Sequence, residues 1–364
     1  MNAPKLYAAI LAGGKGERFW PVSTDERPKP FMDIFADGRT LIQQTFDRLR
    51  HVLAAEQVLV VVGASHAQIT RAQLPSLPAA NLLIEPHGRD TAAALALACA
   101  LAEKRGGPDA AVALVAADHF IPDVSAFWRD FERGAALACE RATSVTFGIQ
   151  PDRADTGYGY LLPRAAREQF LGETILAVDR FLEKPDAQAA AGYLEQGCLW
   201  NSGIFIWQVQ RLRSLFGRFL PGIAATFPSL LEALDTPRLP TALDAAYPAM
   251  EKISIDFGIM EHAPGTYCIP AQFSWDDIGN WAALKRALAT DGAGNVAVGS
   301  ARAARMLDVA DTVIFESSPQ TADTPGPHLV LMGLRDLVVV RSGDKILVAS
   351  SAYAGRLKEA LRGP

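Results

Sequence analysis

Cysteine is scarce. The four thiols among 364 residues, Cys99, Cys139, Cys198 and Cys268, are widely separated and form neither a C-x-x-C pair nor a zinc spacing. Four reduced thiols in a cytoplasmic protein are the expectation. Histidine is equally unhelpful as a metal ligand: no H-E-x-x-H pair occurs, and His119 has no second histidine at ligand spacing. Without a G-x-S-x-G elbow, or a serine or cysteine in a local nucleophile signature, covalent catalysis is not favoured. Positive charge is not in excess either. A net charge of −5 excludes a general nucleic-acid surface. No segment approaches the roughly 20 apolar residues of a membrane span. Lys5 followed by Leu6 to Ala12 has the look of a signal peptide, but the run is too short and charges follow at once. The chain is therefore expected to be soluble, with no membrane and no nucleic-acid partner. No low-complexity tract and no clear internal repeat occurs.

What is present is a hydrophobic content of 49%, ample for a core, in a length suited to one large domain with an appendage or to two domains. Short apolar runs at Leu6–Leu11, Val58–Val62, Leu82–Glu85, Ala111–Ala116 and Ser144–Ile149 read as buried strands. Between them lie helical patterns: Leu41 to Leu49, an alanine-rich stretch from Thr91 to Lys104 with Asp90 or Thr91 placed as its cap, and a segment opening at Ser125 with Phe127, Phe131 and Ala135 on one face. This alternation predicts an α/β protein with a doubly wound, Rossmann-like mixed but mostly parallel sheet. Ligands of such sheets lie beyond the carboxyl ends of the strands. The middle section is less regular: Thr156 to Tyr160 reads as a flexible glycine–aromatic run, and Trp200 to Gly203 as a lead into a strand at Ile204–Trp207. After about Asp291 short apolar pieces alternate with turn residues, with a polar, proline-rich loop at Ser317 to Pro327. Residues 1–290 and 291–364 are accordingly expected to form a main domain and a small β-rich one.

The chemistry concentrates near the N-terminus. The first strand runs into Leu11-Ala-Gly-Gly-Lys-Gly-Glu-Arg-Phe-Trp-Pro21, followed by Arg27-Pro-Lys-Pro-Phe31. Glycines after a strand free backbone N–H groups to approach a ligand, and Lys15, Arg18, Arg27 and Lys29 add cations. This is neither a Walker loop, since Gly16 follows Lys15, nor a G-x-G-x-x-G fingerprint, since Phe19 holds the third position. By itself the stretch reads equally as a polyphosphate cradle or as an ordinary tight turn. Asp118 follows a strand of Ala, Val and Leu, and Asp277 sits in a hydrophobic turn; two carboxylates at a phosphate site suit Mg²⁺. Asp276 competes with Asp277, and Asp118 could equally be a turn residue. Lys184, between Glu183 and Pro185, is either a phosphate partner or a solvated lysine. His119 reads as a supporting or structural histidine, and the aromatics Trp200, Phe205 and Trp207 as core.

Eight segments occur in an order that resembles one family: L-A-G-G-K-G-E-R-F-W-P, R-P-K-P-F, A-D-H at 117–119, T-G-Y-G-Y at 156–160, F-L-E-K-P at 181–185, W-N-S-G-I-F at 200–205, S-I-D-F-G-I-M-E at 254–261 and W-D-D-I-G-N-W at 275–281. Over residues 5–290 the chain resembles the sugar-1-phosphate nucleotidylyltransferases, and among them the mannose-1-phosphate guanylyltransferases. The tail resembles that family's small left-handed β-helix region. The resemblance implies a GT-A-like nucleotidyltransferase domain using Mg²⁺, with GTP and mannose 1-phosphate giving GDP-mannose and pyrophosphate. Carried over by position, it implies that Leu11, Gly13, Gly14, Lys15 and Gly16 wrap the nucleotide phosphates, and that Arg18, Lys29 and Lys184 act in catalysis by neutralising charge. Glu85, Asp90 and Thr91 would lie near the base. Gly159, Glu183, Lys184 and Asn201 would bind the sugar phosphate, and Asp118 and Asp277 the metal.

Three positions depart from the family pattern: Pro30 where Gln is expected, Asp90 where Asn is expected and Ala93 where Pro is expected. An ionised Asp90 cannot donate a hydrogen bond as Asn can, which puts guanine specificity, rather than reaction type, in question; the alternatives are another sugar 1-phosphate or nucleotide, set by pocket contacts, and a catalytically silent relative that binds nucleotide sugars. A single activity is expected, without the isomerase domain of bifunctional relatives. The tail's apolar strands suit a homodimer contact or edges covered within the chain.

Overall fold

The computed structural model describes residues 5–14, 16–317 and 329–362. Lys15 and most of the proline-rich loop lie outside the described residues. Strand β1 (Leu6–Leu11) lies inside a nine-stranded sheet, paired in parallel with β2 (Val58–Gly63) and β4 (Ala111–Ala116); Ile10 faces Val60 on one side and Val115 on the other. β3 (Leu82–Glu85) extends the parallel half beyond β2. Such strands are apolar on both faces because helices cover both faces. Ala9, Leu59 and Val61 point toward α3 (Asp90–Gly106) in the chain's largest core, while Ala8, Ile10 and Val60 point to the opposite core. There they meet Ile42 and Phe46 of the helix Leu41–Arg50 and Phe127 and Phe131 of the helix Val124–Glu140. Every α3 residue from Ala92 to Ala102 is buried, so this helix needs no polar face.

β5 (Ser144–Ile149), β6 (Tyr160–Phe170), β7 (Glu173–Leu182), β8 (Leu199–Gln208) and β9 (Thr266–Pro270) complete the sheet in the order β3-β2-β1-β4-β8-β5-β9-β7-β6. β8 inserts antiparallel between β4 and β5, with Phe205 opposite both Leu114 and Thr146. β8 includes Trp200 to Gly203, which the sequence reading left outside the strand. The run Thr156 to Tyr160 is also more ordered than expected: Tyr158 and Tyr160 are buried, and Tyr160 opens β6, a strand whose polar middle hid it from pattern reading. Neither Asp90 nor Thr91 caps α3 as foreseen. Arg89 holds the cap position without a side-chain bond, and the Thr91 hydroxyl instead accepts the Ile255 N–H at 2.8 Å.

The tail is built of stacked parallel strands. β10 (Val296–Gly299), β12 (Val313–Glu316) and β14 (Leu337–Ser342) form one face, and β11 (Arg305–Leu307) and β13 (Val330–Met332) another; β15 (Lys345–Ser350) returns antiparallel along β14. Asn295 pins two layers, donating to the Val309 carbonyl at 2.9 Å and accepting the Thr312 N–H at 3.0 Å. Val298, Phe315, Val338 and Val340 share a core with Phe19, Ile278 and Trp281. The tail therefore packs against the loops that follow β1 and precede residue 290.

Candidate active site

β1 and β4 end together, the Ala117 N–H donating to the Leu11 carbonyl at 3.2 Å. The glycine loop and Asp118 consequently leave the sheet side by side. Gly13 and Gly14 are exposed, and the loop then folds back on the Arg27–Phe31 segment. Gly16 makes that fold possible. Its φ is +61°, and a Cβ there would lie 2.6 Å from the Lys29 backbone nitrogen. The Ser23 hydroxyl locks the Gly16 carbonyl at 2.7 Å.

Lys29 is buried, and its Nζ donates to Asp118 Oδ2 at 2.8 Å and to the Asp277 carbonyl at 2.5 Å. Burial works to raise the Asp118 pKa, but the Lys29 ammonium outweighs it and holds the carboxyl below its usual range. The Asp277 carboxyl is pushed up, chiefly by burial, against the opposing pull of Lys29 and of Tyr158, whose hydroxyl donates to Asp277 Oδ1 at 2.8 Å. An isolated antiparallel bridge between Phe120 and Asp276 joins the two loops and brings the two carboxylates to one cavity of about 290 Å³, which Gly14, Gly16, Arg18 and Lys29 also line. Asp276 itself faces elsewhere: it accepts both Arg286 Nε at 2.5 Å and Arg286 Nη2 at 2.9 Å. Arg18 is exposed on the cavity wall, with no ion-pair partner among the described residues. Burial lowers the His119 imidazole to about 4, so it is neutral at pH 7, and its Nδ1 accepts the Trp275 indole N–H at 3.1 Å.

Tyr158 links this cavity to a second group of residues. Its carbonyl accepts the Lys184 N–H at 3.2 Å, and the Gly159 carbonyl accepts the Asn201 N–H at 2.8 Å. The Lys184 ammonium pairs with Glu183, whose carboxylate is buried against Gly159: a Cβ at 159 would meet Glu183 Oε2 at 2.5 Å. Asn201 reaches Thr146 at 2.9 Å and Asp256 at 3.5 Å. Glu85, at the end of β3, accepts the Tyr247 hydroxyl at 3.1 Å, and burial pushes it up to about 7, with the nearby Asp90 charge adding to the shift. Asp90 also acts on Asp256, as do the charges of Glu183 and Lys184. The residues expected near base and sugar thus form one electrostatic neighbourhood.

Two members of this site carried no assignment from sequence. Tyr158 and Asp256 both stand inside noted segments, T-G-Y-G-Y and S-I-D-F-G-I-M-E, but a buried tyrosine reads as core and a lone Asp as a turn. Three non-glycine residues with left-handed backbones flank the site: Asp90 at φ +66°, Lys184 at +45° and Ile278 at +43°. For β-branched Ile278, next to Asp277, such a backbone is an outlier worth about 1–3 kcal/mol of strain, typical of functional loops.

The nucleotidyl transferase family profile matches residues 7–293. The chain belongs to that family. It is 35% identical over 356 residues to the xanthan biosynthesis protein XanB of Xanthomonas campestris, and 33% identical over 355 residues to a mannose-1-phosphate guanylyltransferase of Escherichia coli; each match covers 96% of this chain and 71% of the relative. A solved structure, of a protein named mannose-1-phosphate geranyltransferase from Thermus thermophilus, superposes with a TM-score of 0.84 at 32% identity, covering 98% of both chains. Nucleotidyl transferases generally depend on a divalent metal, and the donor set here suits one. Asp118 and Asp277 converge on the cavity, which Glu17 also lines, and no group of three or more His, Cys, Asp or Glu among the described residues is placed to hold a metal. Mg²⁺ favours such a sparse oxygen set, completed by water and substrate phosphates, over an all-protein cage.

Proposed function

We propose that this nucleotidyl transferase moves GMP from GTP to mannose 1-phosphate, releasing GDP-mannose and pyrophosphate. The observation that carries the reading is the placement of Asp118, Asp277 and Lys29 on one cavity with the glycine loop, with Lys184 and Asn201 joined to it through Tyr158 and Gly159. A phosphate oxygen of the sugar phosphate would attack the α-phosphorus as the bond to the β-phosphate breaks. That oxygen is already anionic, so no general base is required, in keeping with a neutral His119 and no activated nucleophile among the described residues. Lys184 and Asn201 would hold the attacking phosphate in line, and Arg18 the outer phosphates. Lys29 would hold the Asp118 carboxylate and the Asp277 backbone together in the free enzyme. Asp118 and Asp277 would hold Mg²⁺, which when bound neutralises charge on the phosphate oxygens.

Guanine is supported by Glu85, once ionised, at the end of β3, while Asp90 in place of the expected Asn is the position at which another nucleotide would be selected. A carboxylate accepts two adjacent N–H groups well, and the guanine N1–H and N2–H₂ edge supplies them. The names of the relatives point the same way. The test is turnover by the full chain with Mg²⁺, offering each nucleoside triphosphate with mannose, glucose and heptose 1-phosphates, and reading pyrophosphate and nucleotide sugar. GDP-mannose should dominate. A different active pair would overturn the substrate assignment, and tight nucleotide-sugar binding with no turnover would make the chain a silent relative.

A further inference from the structure

The cavity around Asp118 has one wall that the family match to residues 7–293 does not contain. After β15 the chain turns through Ser351–Arg356 into the helix Leu357–Arg362, anchored by buried Ala354 and Leu357. This helix packs on the short turn Glu17–Phe19 of the glycine loop. Lys358 lines the cavity together with Arg18 and Lys29, and its Nζ lies 3.0 Å from Glu17 Oε2. A second cavity of about 290 Å³, lined by Trp20 and Leu361, also reaches Glu17 and Lys358, so the pair is not enclosed by protein.

We propose that Lys358 is a phosphate-binding residue of the nucleotide site, taking the outer phosphates of the triphosphate and the pyrophosphate that leaves. The inference rests on the nucleotidyl-transfer reading. Lys358 and Glu17 keep 44% and 28% of their side-chain surface exposed, and an ion pair that open is weak. A polyphosphate in the cavity carries more charge than one carboxylate and would win the ammonium. Glu17 is then the competitor that holds Lys358 when the site lacks substrate. Arg18 and Lys358 face the same cavity from opposite ends of the sequence, while Lys29 is already committed to Asp118. The outer phosphates thus meet two cations not tied to the metal carboxylates.

The test is calorimetric titration of the full chain with magnesium pyrophosphate, alongside steady-state kinetics and thermal melting, for Lys358→Ala, Lys358→Arg and Glu17→Gln. Lys358→Ala should weaken pyrophosphate binding and raise KM for the nucleotide by roughly five- to tenfold, with KM for the sugar phosphate unchanged. Lys358→Arg should restore binding. Glu17→Gln should bind pyrophosphate as well as the wild type or more tightly. If the pair were only a staple for the helix, Lys358→Ala and Glu17→Gln would lower the melting temperature and weaken binding together, and that result overturns the proposal. So does unchanged pyrophosphate affinity in Lys358→Ala. If the wild type releases no pyrophosphate from any substrate pair, the reaction assigned above falls, while the titration still reads Lys358.

Discussion

Asp276 and Asp277 are adjacent carboxylates with opposite fates. Arg286 grips Asp276 from outside the cavity, whereas Asp277 turns inward, its carbonyl on Lys29 and its carboxyl on Tyr158. Asp277→Asn should therefore lower turnover by on the order of 10²–10³ with little change in melting temperature. Asp276→Asn should do the reverse, loosening the Arg286 contact while keeping most activity; parallel kinetics and melting curves on the two variants would expose an exchange of roles. Asp256 answers to pH. Burial first, and the Glu183 charge next, push its carboxyl up to about 7. The folded chain then keeps that proton up to about pH 7, whereas the unfolded chain releases it near the ordinary Asp value of about 4. Wild-type stability from this group is present below that lower value and is lost as pH rises toward 7. Asp256→Asn should accordingly gain in melting temperature relative to wild type across that window and keep the gain at pH 8. A difference that stays flat from pH 4 to 8 would contradict the assignment.

The glycine loop works as an element because it is clamped at both ends: Leu11 is held by Ala117, and Gly16 lies on the Lys29 backbone. Gly16→Ala would place a methyl group where the Lys29 nitrogen stands and force an L residue into a left-handed backbone. Lys29 must shift, and with it the contact to Asp118. Since a misplacement of about 1 Å at a reacting centre can cost on the order of 10² in rate, turnover of this variant should fall by at least tenfold while the circular dichroism spectrum stays that of a folded protein. Near-normal turnover would mean the loop tolerates repositioning of Lys29. The short Phe120–Asp276 bridge is a second element of this kind, with bonds of 2.9 and 3.1 Å joining loops 156 residues apart.

At the scale of the molecule, the tail and the loops around the cavity share a core. The Phe315 ring sits 4.7 Å from that of Trp281, which lies 5.1 Å from Phe19 in the turn after the glycine loop. Phe315→Ala should cost about 3–5 kcal/mol in urea unfolding and lower activity as well, although residue 315 touches none of the proposed substrate groups. Full activity in a strongly destabilised variant would separate the tail from the site. The contact of Lys358 with Glu17 belongs to the same association of the two ends of the chain.

The alternation of apolar runs with amphipathic segments was enough to read the α/β class and the first five strands. Each of those strands is buried on both faces, and its composition records that local fact. The motifs likewise carried the family, because eight segments agree in order where each alone reads equally as a turn or a solvated residue. What the sequence did not contain was strand order. The insertion of β8 between β4 and β5 depends on pairings between segments about 50 to 100 residues apart, which no local pattern encodes. The same holds for which of Asp276 and Asp277 faces the cavity, where a two-residue bridge and a left-handed Ile278 lie beside them, and for the nearness of Tyr158, Asp256 and Lys358 to it. Their residue types are ordinary. Only the close packing of distant segments gives them neighbours, and hence chemistry.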